Sequence, residues 1–256
     1  MRILITGAAS GIGYLTALTL AERGHFVYLT CHTQKQVLNV KEKVSDYKNI
    51  KVLKVDITKA DDRKKVLELD VDVLYSNAAA GISGSILEHN ITEVRKVFEV
   101  NVFSNFLLVR DVLRKMIEKD SGRIVMMSPL AGEVTIPFLG VYSASKVSIN
   151  SLVRSLKLEL KTLDTRVDIA LVEPGLYHTG FNNYVIDSKY NNDKYFKDVK
   201  YILYNLEHAF LFLTEKKKLD SIVIQIVRAV EDKKLKRVYK APFLQSWLVK
   251  VLSLFK

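Results

Sequence analysis

Residues 2–13, RILITGAASGIG, carry a short apolar run straight into a turn with glycine at positions 7, 11 and 13. A helical pattern follows from Ile12 to Arg23 and is closed by Gly24. A strand that feeds a helix through a tight turn continues into a second, parallel strand, because the helix is the crossover. Glycine allows positive φ and a close approach of backbone to ligand. The helix that follows directs its free N–H groups and the positive end of its dipole at the same point. In this setting Gly7, Gly11 and Gly13 point to a phosphate ligand such as the pyrophosphate of a dinucleotide.

The alternation persists along the chain. Apolar runs at 26–31, 51–57, 71–79, 123–128 and 167–174 are separated by helical patterns near 34–46, 59–68, 90–118 and 142–161; a helix near 219–231 and a short strand at 237–241 complete it. The runs are almost continuous in Val, Ile and Leu, as strands buried on both faces require. The expected fold is α/β: one doubly wound domain over residues 1–256, with a mostly parallel sheet of about seven strands and helices on both faces. Residues 178–214 are less regular and rich in aromatics, and 242–256 form an amphipathic tail.

A content of 48% apolar and 26% charged residues suits an ordinary globular core. The single cysteine, Cys31, excludes an internal disulfide and fits a reducing compartment. Met1 stands one residue before the first strand, so no signal peptide is expected, and a cytoplasmic location follows. The net charge of +11 is concentrated in residues 215–256, where eleven Lys/Arg face four Asp/Glu. This end suits an anionic surface, or is a solvated lysine-rich face. Nucleic acid is not expected, because no stacking aromatics or reader motif accompany the charge.

Tyr142 and Lys146 are four residues apart and share a face of the expected helix. An ammonium one turn from a phenol stabilises the phenolate and draws its pKa down from about 10, which suits proton transfer at a carbonyl or hydroxyl. The plainer reading is a buried tyrosine on an amphipathic face. An acidic residue at the end of the second strand would bind a ribose 2′-hydroxyl and repel a 2′-phosphate. The chain has Thr30-Cys31-His32-Thr33 there, with Lys35 beyond. With no carboxylate present, His32 and Thr33 are expected to favour NADP(H) over NAD(H). Asp56, at the end of the third strand, is placed for the adenine ring, or else serves a helix start before Thr58.

Six segments in order resemble the short-chain dehydrogenase/reductase family in its compact form: TGAASGIG at 6–13, VDIT at 55–58, SNAAAG at 76–81, Asn101 in EVNVFSNF, YSASK at 142–146, and EPG at 173–175 followed by Thr179. The resemblance implies a Rossmann-type domain and an oxidoreductase interconverting an alcohol and a ketone or aldehyde. It implies that Tyr142 is the general acid or base, and that Lys146 serves both the phenol and the nicotinamide ribose. Asn101 would hold a water relaying protons to Lys146. Pro174, Gly175, Leu176 and Thr179 would cover the nicotinamide. Ser10 and Ile12 in the glycine turn, Ile57 beside Asp56, and Asn77 and Ala78 in the fourth-strand wall complete the expected cofactor set. No metal is expected, and a homodimer or homotetramer is.

Two positions depart from the family pattern. The serine that polarises the carbonyl usually lies thirteen residues before the tyrosine, and Pro129 stands there. Ser128 is the nearest hydroxyl and is taken as its replacement, although one residue along a strand reverses the side-chain direction. Pro129 also keeps open a non-catalytic dinucleotide sensor or scaffold. Ala79 stands where the family has glycine. The aromatic stretch 178–214 is expected to form a flap over a medium-to-large apolar substrate, or to pack on the core. In the tail, Phe243, Leu244, Trp247, Leu248, Val251, Leu252 and Phe255 share one face. That face could lie on a membrane, cover the substrate mouth or join subunits.

Overall fold

Successive residues of each strand enter opposite layers of the core. Ile3 and Ile5 pack on one face of the sheet and Leu4 on the other; Val125 and Ala170 join the first face, Ile124, Met126, Ile169 and Leu171 the second. Only a sheet covered on both sides buries both sets. The computed structural model describes residues 1–127, 137–187, 195–198, 204–205, 208 and 214–242. The strands are β1 (Arg2–Ile5), β2 (Phe26–Cys31), β3 (Ile50–Lys54), β4 (Val73–Ser76), β5 (Arg123–Met127), β6 (Asp168–Pro174) and β7 (Tyr239–Ala241). They form one sheet in the order β3-β2-β1-β4-β5-β6-β7, and every neighbouring pair is parallel.

The first face is covered by α1 (Gly11–Glu22), α2 (Gln34–Lys43) and a helix labelled here α8 (Asp220–Glu231), which contribute Ala17, Leu20, Val37, Val40, Ile222, Ile226 and Val230. The second is covered by α3 (Ala60–Leu67), α5 (Asn105–Glu118) and α6 (Gly140–Leu160), through Val66, Leu108, Val112, Met116, Ile149 and Val153. Between them in sequence lie α4 (Ile91–Phe98) and α7 (Phe181–Asp187). The chain leaves β1 toward β2 and β3, then returns to β4 on the other side. The carboxyl ends of β1 and β4 therefore flank the switch-point crevice where ligands of such sheets bind.

The doubly wound sheet of seven strands agrees with the sequence reading, and the differences are local. β3 stops at Lys54, because the Asp56 N–H turns to the Asp62 carboxylate at 2.9 Å. β4 stops at Ser76, because the N–H groups of Asn77 and Ala78 both turn to the Thr6 hydroxyl at 3.0 Å. The helical pattern at 90–118 is interrupted by a π-helical turn, Glu99–Ser104, a feature frequent at functional sites. The tail 243–255 lies outside the described residues. Among the described residues no helix is long and apolar enough to cross a membrane.

The far edge of the sheet is tied down by Arg123. Its guanidinium donates to the carbonyls of Ala229 (3.1 Å), Val230 (2.6 Å) and Asp232 (2.8 Å), which close the C-terminus of α8. Removing the donor strands three carbonyls, and charged hydrogen bonds contribute roughly 1.5–3 kcal/mol each at most. Arg123→Met should lower folding stability by about 2 kcal/mol in urea titration, with an unchanged m-value.

Candidate active site

The glycine turn sits at the crevice and its glycines are required by space as well as by conformation. Gly7 and Gly11 have φ of +63° and +60°. A Cβ on Gly7 would stand 2.8 Å from the Cα of Ala78, and one on Gly13 would stand 2.7 Å from Nδ2 of Asn77. Helix α1 opens at Ser10 with no side-chain cap and no acidic residue in its first turn, so its first N–H groups have no side-chain acceptor. Ile12 is half-buried beside them. A Cβ on Gly11 would lie 3.2 Å from Cβ of Thr179, so the segment after β6 closes against this turn.

The wall of the crevice is held by side chains that bond to main chain. The Asn77 amide donates to the carbonyls of Thr6 and Gly7, both at 3.0 Å, and accepts from the Tyr75 hydroxyl at 3.1 Å. Asn101, in the π turn and 1% exposed, accepts from the Ala80 N–H (2.7 Å), donates to the Ala80 carbonyl (2.8 Å) and donates to the Ser145 hydroxyl (2.9 Å). Ser145 in turn donates to the Tyr142 carbonyl at 2.7 Å. The Asn101 side chain is thus engaged in bracing α6 against the β4 loop.

Tyr142 and Lys146 share one face of α6, as their spacing implies. Lys146 Nζ lies 5.8 Å from the centroid of the half-buried Tyr142 ring. Lys146 is 5% exposed and its ammonium has no hydrogen-bond or ion-pair partner among the described residues. Burial pulls its pKa down to about 8. Burial also pushes the Tyr142 phenol up, against the expected lowering. The Phe181 ring covers the phenol, with centroids 6.0 Å apart.

The other expected residues fall into place unevenly. Pro174, Gly175, Leu176 and Thr179 leave the end of β6 beside the glycine turn; the Gly175 N–H is held by the Ala241 carbonyl at 2.8 Å. Thr33 is the N-cap of α2 in a capping box with Gln36, so its hydroxyl accepts from the Gln36 N–H, and His32 stands exposed beside it. Asp56 accepts from the Thr58 N–H (3.0 Å) and hydroxyl (2.7 Å) as a turn residue, three positions before the α3 cap Lys59. Its neighbour Ile57 is buried in the core. Ser128 and Pro129 lie outside the described residues. The roles of Thr6, Ser145 and Gly81 were not read from sequence, although all three stand inside the motifs quoted.

The residues present fit a dinucleotide: a cradle that a Cβ would fill, a helix start without a side-chain cap and a buried ammonium with no counter-charge among the described residues converge on one sheet edge. The family model described as short chain dehydrogenase matches residues 1–189. A 3-ketodihydrosphingosine reductase of Bacteroides thetaiotaomicron is 32% identical over 187 residues, 71% of this chain and 65% of that protein. An NADPH-dependent 1-acyldihydroxyacetone phosphate reductase of Saccharomyces cerevisiae is 33% identical over 172 residues, 64% of this chain and 57% of its own length. The matches therefore span less than two thirds of these relatives. A short chain dehydrogenase/reductase of Burkholderia phymatum in complex with NAD shares the fold, with a TM-score of 0.83 at 19% identity over 97% of this chain and 91% of that one. The chain belongs to the short-chain dehydrogenase/reductase family, a family of oxidoreductases.

The depressed Lys146 pKa has a sign that can be measured. The folded state releases this proton near pH 8 and the unfolded chain near 10.4, so below pH 8 the burial penalty is fully present. Between pH 8 and 10.4 the unfolded state binds more protons and stability rises with pH. Relative to Lys146→Met, the wild type should gain on the order of 3 kcal/mol across that window, read by urea titration of both proteins at each pH. A constant difference would refute the buried ammonium.

Proposed function

We propose that this chain is an NAD(P)-dependent oxidoreductase that interconverts an alcohol and a ketone or aldehyde, with Tyr142 as the group that moves the proton. The observation that carries the reading is the Asn101–Ser145–Tyr142 brace, which ties the helix that bears Tyr142 and Lys146 to the loop after β4. A bound nicotinamide supplies the hydride. The chain's own residues do the rest. The turn Gly7–Gly13, with Ser10 and Ile12, and the first N–H groups of α1 hold the pyrophosphate. Asn77 and Ala78 form the wall behind it. Asp56 and Ile57 border the adenine side, and Pro174, Gly175, Leu176 and Thr179 border the nicotinamide side. Lys146 binds the ribose hydroxyls. Tyr142 donates its proton to the nascent alkoxide, and removes the hydroxyl proton in the reverse direction. A proton delivered through Lys146 replaces it, by way of a water beside Asn101.

Three finer points have support of different kinds. NADP(H) is favoured by the absence of a carboxylate at the end of β2, where exposed His32 and Lys35 stand, and one relative is named NADPH-dependent. An apolar, medium-to-large substrate is favoured by Phe181 over the phenol and by exposed Ile86 and Leu87 at the neighbouring rim. Self-association as a dimer or tetramer is favoured by Phe103, Phe106, Val147 and Leu158, large apolar side chains exposed along the π turn, α5 and α6. A non-catalytic dinucleotide sensor is the second reading, on the strength of Pro129 at the usual serine position.

Tyr142→Phe should lower turnover at least 10²-fold, the usual scale of general acid catalysis, and leave NADPH binding, followed by its fluorescence, within about threefold. Retained turnover removes the assignment. Binding without turnover in the wild type, over a panel of carbonyls followed at 340 nm, selects the sensor. In the same titration NADPH should bind at least about tenfold tighter than NADH. Equal affinities would remove the NADP preference.

A further inference from the structure

The segment carrying Gly175–Thr179 leads directly into α7, and the chain returns to it at Glu215. The two stretches are stitched by main chain: the Lys216 N–H donates to the Leu176 carbonyl and the His178 N–H to the Lys216 carbonyl, both at 3.1 Å. One carboxylate adds side-chain bonds to this stitch. Glu215, its side chain only 5% exposed, accepts from His178 Nδ1 at 2.8 Å through one oxygen and from the Asn182 amide at 2.6 Å through the other. A carboxylate only accepts, so His178 carries its proton on Nδ1. The same Asn182 amide also reaches the Tyr177 carbonyl at 3.3 Å.

Asn182 is the second residue of α7, and its neighbour Phe181 is the ring over Tyr142. The far side of the helix is seated just as closely. A Cβ on Gly81 would lie 2.2 Å from Val185 Cγ2 and 2.9 Å from Phe181 Cζ, and the Ser83 hydroxyl donates to the Val185 carbonyl at 2.6 Å. Glycine at 81 is the socket, and the Glu215 carboxylate joins the helix to the returning chain. We propose that Glu215 is the positioning residue that seats α7, and with it Phe181, over Tyr142, and so sets which carbonyl compounds reach the phenol. The effect on substrates rests on the oxidoreductase reading; the seating of the helix does not.

Hydrogen–deuterium exchange on the full chain tests the seating. In Glu215→Ala the amides of 179–187 should exchange at least about tenfold faster, with those of α1 and α6 unchanged. Glu215→Gln should restore protection to within about threefold: its carbonyl still accepts from Asn182, and its amide donates to His178 once that ring changes tautomer. Asn182→Ala, at a half-buried position, should reproduce the faster exchange and decides the matter if Glu215→Ala does not fold. Unchanged protection, or faster exchange spread over the whole chain, overturns the proposal. In turnover with NADPH, the ratio of kcat/KM for cyclohexanone to that for 2-decalone should shift toward the bulkier ketone by about fivefold in Glu215→Ala. A constant ratio beside faster local exchange overturns the part concerning selection. If the wild type turns over neither ketone, the oxidoreductase reading for this class fails while exchange still judges the seating.

Discussion

One buried carboxamide joins the two halves of the site. Asn101 spends every polar atom of its side chain on main chain and on Ser145, and so couples the loop after β4 to the helix that carries Tyr142 and Lys146. The π-helical turn makes this possible. Its wider winding places Asn101, Ser104 and Asn105 all inward, and Asn105 takes the Ser76 hydroxyl at 2.6 Å and the Ala78 carbonyl at 3.0 Å. Thr6 completes the set from the β1 side by accepting from both Asn77 and Ala78. The end of β1, the end of β4 and the start of α6 therefore form one hydrogen-bonded unit, and the crevice between them is built before any ligand arrives.

Against that rigid frame the chemistry depends on an unfavourable burial. Among the described residues the Lys146 ammonium has no anionic partner; such burial is costly, and Lys146 answers by holding its proton less tightly. The phenol beside it is likewise held neutral by burial. Burial thus biases both groups against their charged forms. Polar ribose hydroxyls at Lys146 would favour the charged ammonium, and the ammonium would then favour phenolate. A spacing of four residues thus implies the pairing but not the sign of the shift, because the shift follows desolvation, which the spacing does not encode.

The parts legible in the sequence are those encoded by short spacings. The near-continuous Val, Ile and Leu runs of the strands, the glycines at 7, 11 and 13, and the four-residue step from Tyr142 to Lys146 each fix a local geometry, and the structure carries all three. What was not legible depends on contacts made across the chain or on competition for one group. Thr33, offered by the sequence as a cofactor residue, also caps α2: its hydroxyl accepts from the Gln36 N–H, a capping box visible only as the pair Thr33 and Gln36. Asp56 was read as an adenine contact or a helix start, and it is engaged two residues on by Thr58. The pattern over 90–118 reads as one long helix or a pair, and what it does not reveal is the π turn at Glu99–Ser104 that joins the two.

The wall above the phenol shows the same limit from another side. The aromatics after Tyr177 announced an apolar cover, but not which ring would lie on Tyr142 or what would hold it there. Phe181 is selected by a glycine one hundred residues earlier and by a carboxylate beyond the far end of the same stretch. Gly81 leaves the space and Glu215 fixes the approach. A bulkier residue at 81 would displace Val185 and Phe181 together, whatever the bonding at Glu215. The frame beneath Tyr142 is thus built from motif residues, whereas the cover above it is built from residues outside every motif but one. Within one fold the second set can change without disturbing the first, as surface segments on a fixed scaffold commonly do.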